Sequence, residues 1–158
     1  MKKLILVPLK RSDRAEDLLP YVEEVARPGM KAVFMVPYPV DGFRWSHEEC
    51  GRKAIEEGIR LARYYAWDTN LRKARVRFSP AMEALSAKGI EVAVELYAGS
   101  IRRAVRNCAE KGEVHLIVTR ASVGQRFAGL FGGGNSLLGL FRRPSFFPVL
   151  LIHPSTVT

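Results

Sequence analysis

"YAGSIRRAVRNCAEKGEVHLIVT", residues 97–119, joins a helix to a strand. Ser100 stands where a helix N-cap would. Ile101, Ala104, Val105, Cys108 and Ala109 then recur at i, i+3, i+4, i+7 and i+8, an apolar stripe with arginines turned away from it. The chain continues into "VHLIVT" (114–119), a nearly unbroken apolar run without alternation, as in a strand covered on both faces. An amphipathic helix feeding such a strand is the unit of a parallel sheet, because parallel neighbours need a crossover and its hand is fixed.

The same signal appears on both sides. "KLILVP" (3–8), "AVFMVP" (32–37), "IEVAVEL" (90–96) and "PVLLI" (148–152) complete a set of five strands. Asp13 to Glu16 and Ser46 to Glu49 match a capping box, which marks two helix starts. From His47 to Lys88 the pattern predicts one long helix to about Arg77 and a second opened by Pro80 in its first turn. Gly89 closes that helix in the left-handed conformation. The expected fold is α/β: one domain over 1–158, an open five-stranded parallel sheet with helices on both faces, and an extended helical region at about 46–88. Such sheets bind ligands outside the carboxyl ends of their strands, where strand order reverses. The candidate loops are those after Val7, Val36, Leu96 and Thr119.

At 158 residues, 47% hydrophobic and 26% charged, the composition is that of a globular domain rather than a disordered or membrane chain. The apolar stretch Leu4 to Leu9 ends at Lys10-Arg11, too short for a signal peptide, and no segment approaches the ~20 apolar residues of a membrane span. Cys50 and Cys108 suggest no disulfide framework, in keeping with a cytoplasmic location. A formal net charge of +9 favours anionic partners, without a specific signal for nucleic acid. The cluster Arg72, Lys73, Arg75 and Arg77 reads first as a solvated helix face and second as a binding stripe. Tyr64, Trp67 and Leu71 share a helical face, read as core ahead of partner surface. His47 and Cys50 lack the further ligands a structural zinc site needs, so no metal is expected. His115 and His153 read as ordinary packed or surface histidines. No base and orienting acid can be named for Ser122 or Ser136, so no catalytic residue is assigned.

After the fourth strand, "RASVGQRFAGLFGGGNSLLGLF" (120–141) is rich in glycine and leads to a short helix from Leu137 to about Arg142. Glycine lets amides approach an anion, and a helix start adds free donors; chemistry alone leaves phosphate cradle and flexible connector equally open. The chain here resembles the universal stress protein (UspA-like) family, whose nucleotide-binding members carry Gly-x2-Gly-x9-Gly and then Ser or Thr at this point. Gly124 and Gly134 keep the spacing of nine intervening residues, Ala121 replaces the first glycine, and Ser136 falls one place late. "LILVPLKRSDRAEDLL", the opening quotation and "FFPVLLIHP" also look like family segments. The resemblance implies an adenine nucleotide alpha hydrolase-like sheet of order 3-2-1-4-5 and a regulatory module for stress response. It implies ATP or a related adenine nucleotide, with Mg, as cofactor. Gly124, Gly134, Asn135 and Ser136 would hold phosphate, with Lys10, Arg120 or Arg126 facing it, and the backbone around Val36 would meet the adenine. Where ATP-binding relatives place an Asp after Val-Pro, this chain reads Pro8-Leu9-Lys10. At most slow ATP hydrolysis is expected. The resemblance further implies a homodimer joined at the fifth-strand edge through Val149, Leu150, Leu151 and Ile152. The alternative is a nucleotide-free dimeric scaffold of the same fold that docks a protein partner. A third reading, a nucleotide-processing enzyme, lacks a transfer signature.

Overall fold

The computed structural model describes residues 1–43, 54–120 and 147–153. In chain order these form β1 (Lys3–Pro8), α1 (Ala15–Val25), β2 (Lys31–Pro37), α2 (Ala54–Tyr65), α3 (Trp67–Ser86), β3 (Glu91–Tyr97), α4 (Ile101–Ala109), β4 (Glu113–Arg120) and β5 (Val149–Ile152). The strands make one sheet of order β3-β2-β1-β4-β5, and every pairing is parallel. The expected fold class and strand order are therefore the observed ones.

Alternate residues of the central strands serve two cores. Ile5, Val7, Ala32, Phe34 and Val36 face α1 and α3, packing with Leu18, Val22, Phe78 and Leu85. Leu4, Leu6, Val33 and Met35 face α4, packing with Val105 and Cys108. This is why "KLILVP" and "AVFMVP" read as unbroken apolar runs. The alternation slips once. Leu4 pairs with Val114 but Ile5 with Leu116, so His115 is the extra, exposed residue of a β-bulge. Val114 and Ile117 consequently face α4, while Leu116 and Val118 face the other core.

The helices depart from expectation in three places. Residue 13 is not a cap: α1 starts after Arg14 and its N-terminus has no side-chain cap bond. Ser100 does occupy the N-cap of α4, but its side chain makes no cap bond either. The long helix instead ends at Tyr65, and α3 begins at Trp67 after an extended Ala66 and runs straight through Pro80. Proline cannot serve the carbonyl four residues back. Here the Ser79 hydroxyl donates to that carbonyl, Val76 O, at 2.9 Å. A continuous buried stripe of Asn70, Ala74, Phe78, Ala81 and Leu85 holds the helix against its neighbours on both sides of the proline. Gly89 closes α3 as expected, at φ +75°, with paired bonds from Gly89 N to Ser86 O (3.0 Å) and Ile90 N to Leu85 O (3.1 Å). Because α2 and α3 are separate, Tyr64 does not share a helix with Trp67 and Leu71. Trp67 is an exposed residue stacked against Tyr38, ring centroids 5.1 Å apart, rather than a core residue.

β3 and β5 are the sheet edges among the described residues. On β3, Glu91 pairs with Lys2 and Lys31, and Glu95, on the α4 side, accepts from the Cys108 thiol and Lys111. On β5, Leu151 is exposed and Ile152 buried, while Val149 packs into the α4-side core. The sequence features at Ser46 to Cys50 and Ser122, and the glycine-rich segment with the helix predicted after it, lie outside the described residues.

Candidate site at the carboxyl rim of the sheet

With order β3-β2-β1-β4-β5 the chain reverses its direction of growth between β1 and β4. The loop after β1 and the end of β4 meet there. β1 continues past Pro8 as Leu9 N donates to Met35 O at 3.0 Å, and the Leu9 side chain turns into the core. The loop then folds on itself: Asp13 Oδ2 accepts from Lys10 N at 2.8 Å, and Asp13 N donates to Lys10 O at 3.0 Å. The Asp13 side chain is 2% exposed, and its Oδ1 pairs with Arg120 Nη1 at 3.2 Å. A carboxylate that far from water needs such a partner. Asp17 stands 4.0 Å from the same guanidinium nitrogen.

Two hydroxyls finish the rim. Thr119 Oγ1 donates to Pro8 O at 3.3 Å, and Tyr97 Oη, reaching from β3, donates to Leu9 O at 2.6 Å. Burial, and then the Asp13 charge, push the Tyr97 phenol up to about 12. It therefore remains a donor across the physiological range. Arg11 donates from Nε to Pro39 O at 3.2 Å and lies 6.0 Å from the Phe43 ring centroid. The rim thus carries three cations, Lys10, Arg11 and Arg120, around the carboxylates of Asp13 and Asp17. Such an arrangement can receive an anion only in competition with the acids already present.

Of the residues singled out in the sequence, Lys10 and Arg120 come together here through Asp13. Val36 lies buried in β2, its partner in β3 being Leu96. Gly124, Arg126, Gly134, Asn135 and Ser136 lie outside the described residues. Sequence reasoning missed Asp13, which it read as a cap, and Tyr97. Position in the loop after Val7 was the available signal for Asp13; nothing local marks Tyr97. Burial and then Glu95 push the Cys108 thiol up to about 12, which disfavours the thiolate that a nucleophilic cysteine uses.

We expect Tyr97→Phe to leave the Leu9 carbonyl without its donor in a buried place, at a cost of about 1–2 kcal/mol. Urea unfolding measures it, and an unchanged midpoint would show that water replaces the hydroxyl.

The solved structure of hypothetical protein MJ0577, described as a structure-based assignment of biochemical function, aligns over 99% of both chains with TM-score 0.53 and 17% identity. The chain shares that fold. A structure of a universal stress protein family member from Burkholderia pseudomallei is similar at 20% identity over 95% of both chains, with TM-score 0.49. That of hypothetical protein PH0823 is similar at 17% identity over 97% of this chain and 96% of the other, with TM-score 0.47. No protein-family model matches the chain, and no curated protein is significantly similar to it.

Proposed function

We propose that this chain is a universal-stress-type regulatory module that binds ATP or a related adenine nucleotide at the carboxyl rim between β1 and β4. One observation carries the reading. The strand order reverses between β1 and β4, and the chain leaves β4 into its glycine-rich segment at that point, beside Lys10 and Arg120. The shared fold and the motif resemblance support it. On this reading Gly124, Gly134, Asn135 and Ser136 hold phosphate, Lys10, Arg120 and Arg126 face it with Mg, and the backbone near Val36 meets the base. Asp13 supplies the acid missing from Pro8-Leu9-Lys10, and a nucleotide hydroxyl competes with Arg120 for it. The module is cytoplasmic and pairs with a second copy through the β5 edge, with Leu151 the exposed contact among Val149, Leu150, Leu151 and Ile152.

A specific observation favours the scaffold reading as second. Asp13 is engaged by Arg120 and Lys10 N, and Tyr97 closes over Leu9 O, so these polar groups are satisfied within the chain. Native mass spectrometry of the purified protein, with nucleotide analysis after denaturation and a thermal melt in Mg-ATP, separates the two. Nucleotide binding predicts retained adenine nucleotide, or stabilisation approaching about 2.7 kcal/mol at a hundredfold excess over Kd, and its loss in Gly134→Val. No retained nucleotide and an unmoved melt select the scaffold. The same spectrum reads the mass of the dimer.

A further inference from the structure

The helical region between β2 and β3 carries a charged face on α3, next to the loop that follows β2. Thr69, Arg72, Lys73, Val76 and Arg77 recur on one side of α3 at helical spacing. With Asp41 they line an open hollow of about 660 Å3. Val76 is 70% exposed, an apolar side chain encircled by cations. Lys73 Nζ and Arg77 Nη2 converge on the two Asp41 oxygens at 2.9 and 3.0 Å. The hydrogen bond from Lys73 first, then the charges of Lys73 and Arg77, hold the Asp41 carboxyl below its ordinary value despite some burial. Lys73 also lies 4.6 Å from the Tyr64 ring centroid. Arg72, exposed on the same face, makes no ion pair with another described residue.

The loop that presents Asp41 is anchored on both sides. Val40 N donates to the buried Asn70 Oδ1 at 2.9 Å, and Tyr64 Oη donates to Gly42 O at 2.9 Å. Two of the three cations are therefore held in place before any partner arrives, which lowers the ordering cost of binding. Among the described residues lining the hollow, the three cations Arg72, Lys73 and Arg77 outweigh the single carboxylate of Asp41.

We infer that this face of α3 docks an acidic segment of a partner protein, its carboxylates meeting Arg72, Lys73 and Arg77 around an apolar side chain seated on Val76. Asp41 already demonstrates the geometry, since one carboxylate satisfies Lys73 and Arg77 together. An apolar centre inside a polar rim is the anatomy of a protein interface. A nucleic acid fits it poorly. The described residues lining the hollow include no aromatic side chain on which a base would stack.

The test is fluorescence anisotropy of the full-length protein with a labelled peptide carrying Glu and Leu at helical spacing. Controls are the same peptide with Ser for Leu, one with Lys for Glu, and a single-stranded RNA. The acidic Leu peptide should bind, and weaken as ionic strength rises. Arg72→Glu and Val76→Asp should each weaken it by about tenfold or more, while Arg102→Glu on α4 should leave it unchanged. Both altered side chains are exposed, so an unshifted thermal melt verifies the fold. Failure of the acidic peptide to bind, equal binding of the Ser peptide, indifference to Arg72→Glu, or tighter binding of the RNA would each overturn the inference.

Discussion

Phe78→Ala should cost about 3–5 kcal/mol. Phe78 is 2% exposed, and its ring lies 5.4 Å from that of Phe34, tilted by 40°. The pair joins α3 to β2, near the middle of the sheet. Truncation removes the ring's apolar contacts and opens a void that neither the helix nor the strand can close by moving. Since small domains are stable by about 5–15 kcal/mol, much of the margin would go. Chemical denaturation of both proteins checks it. A loss below about 1 kcal/mol would mean that the neighbouring side chains refill the space, with α3 less firmly seated than its buried stripe implies.

The second large effect belongs to Asn70, a polar side chain only 1% exposed. Its Oδ1 accepts from Val40 N, and its Nδ2 donates to Tyr64 O and Ala66 O, each at 2.9 Å. One side chain therefore serves both the end of α2 and the loop after β2. Leucine has nearly the same volume but serves none of these groups, so Asn70→Leu should cost about 3 kcal/mol. Asn70→Asp keeps the acceptor for Val40, yet sets a carboxylate against two carbonyls, and should be no milder near neutral pH. Hydrogen exchange distinguishes local from global loss: the Val40 amide should lose protection ahead of the strands. If protection at Val40 persists in Asn70→Leu, a bridging water has taken over the role.

The features that read directly from the sequence are those settled by short-range burial. Ile5, Val7, Phe34 and Val36 are apolar because both faces of their strands are covered, and Gly89 closes α3 because the chain turns there with positive φ. The break at Ala66 was hidden because residues on both sides keep helical composition, while the groups that serve it are Asn70, from within α3, and the Tyr38 hydroxyl, which donates to Tyr65 O from the loop after β2. Pro80 misled for the complementary reason. Its missing donor is replaced by Ser79, the residue immediately before it, and tertiary packing supplies the rest. At the rim the missed links are longer. Asp13 meets Arg120 across 107 positions, and Tyr97 meets Leu9 across 88, so no local pattern identifies either pair.

The two margins of the sheet differ in kind. β3 carries Glu91 and Glu95, each tied to lysine, whereas β5 is the apolar run Val149 to Ile152. Joining copies margin to margin through β5 would leave the β3 borders facing outward, and their lysine-clasped Glu91 and Glu95 resist addition of another strand. Growth would then terminate at two molecules instead of propagating into a ribbon.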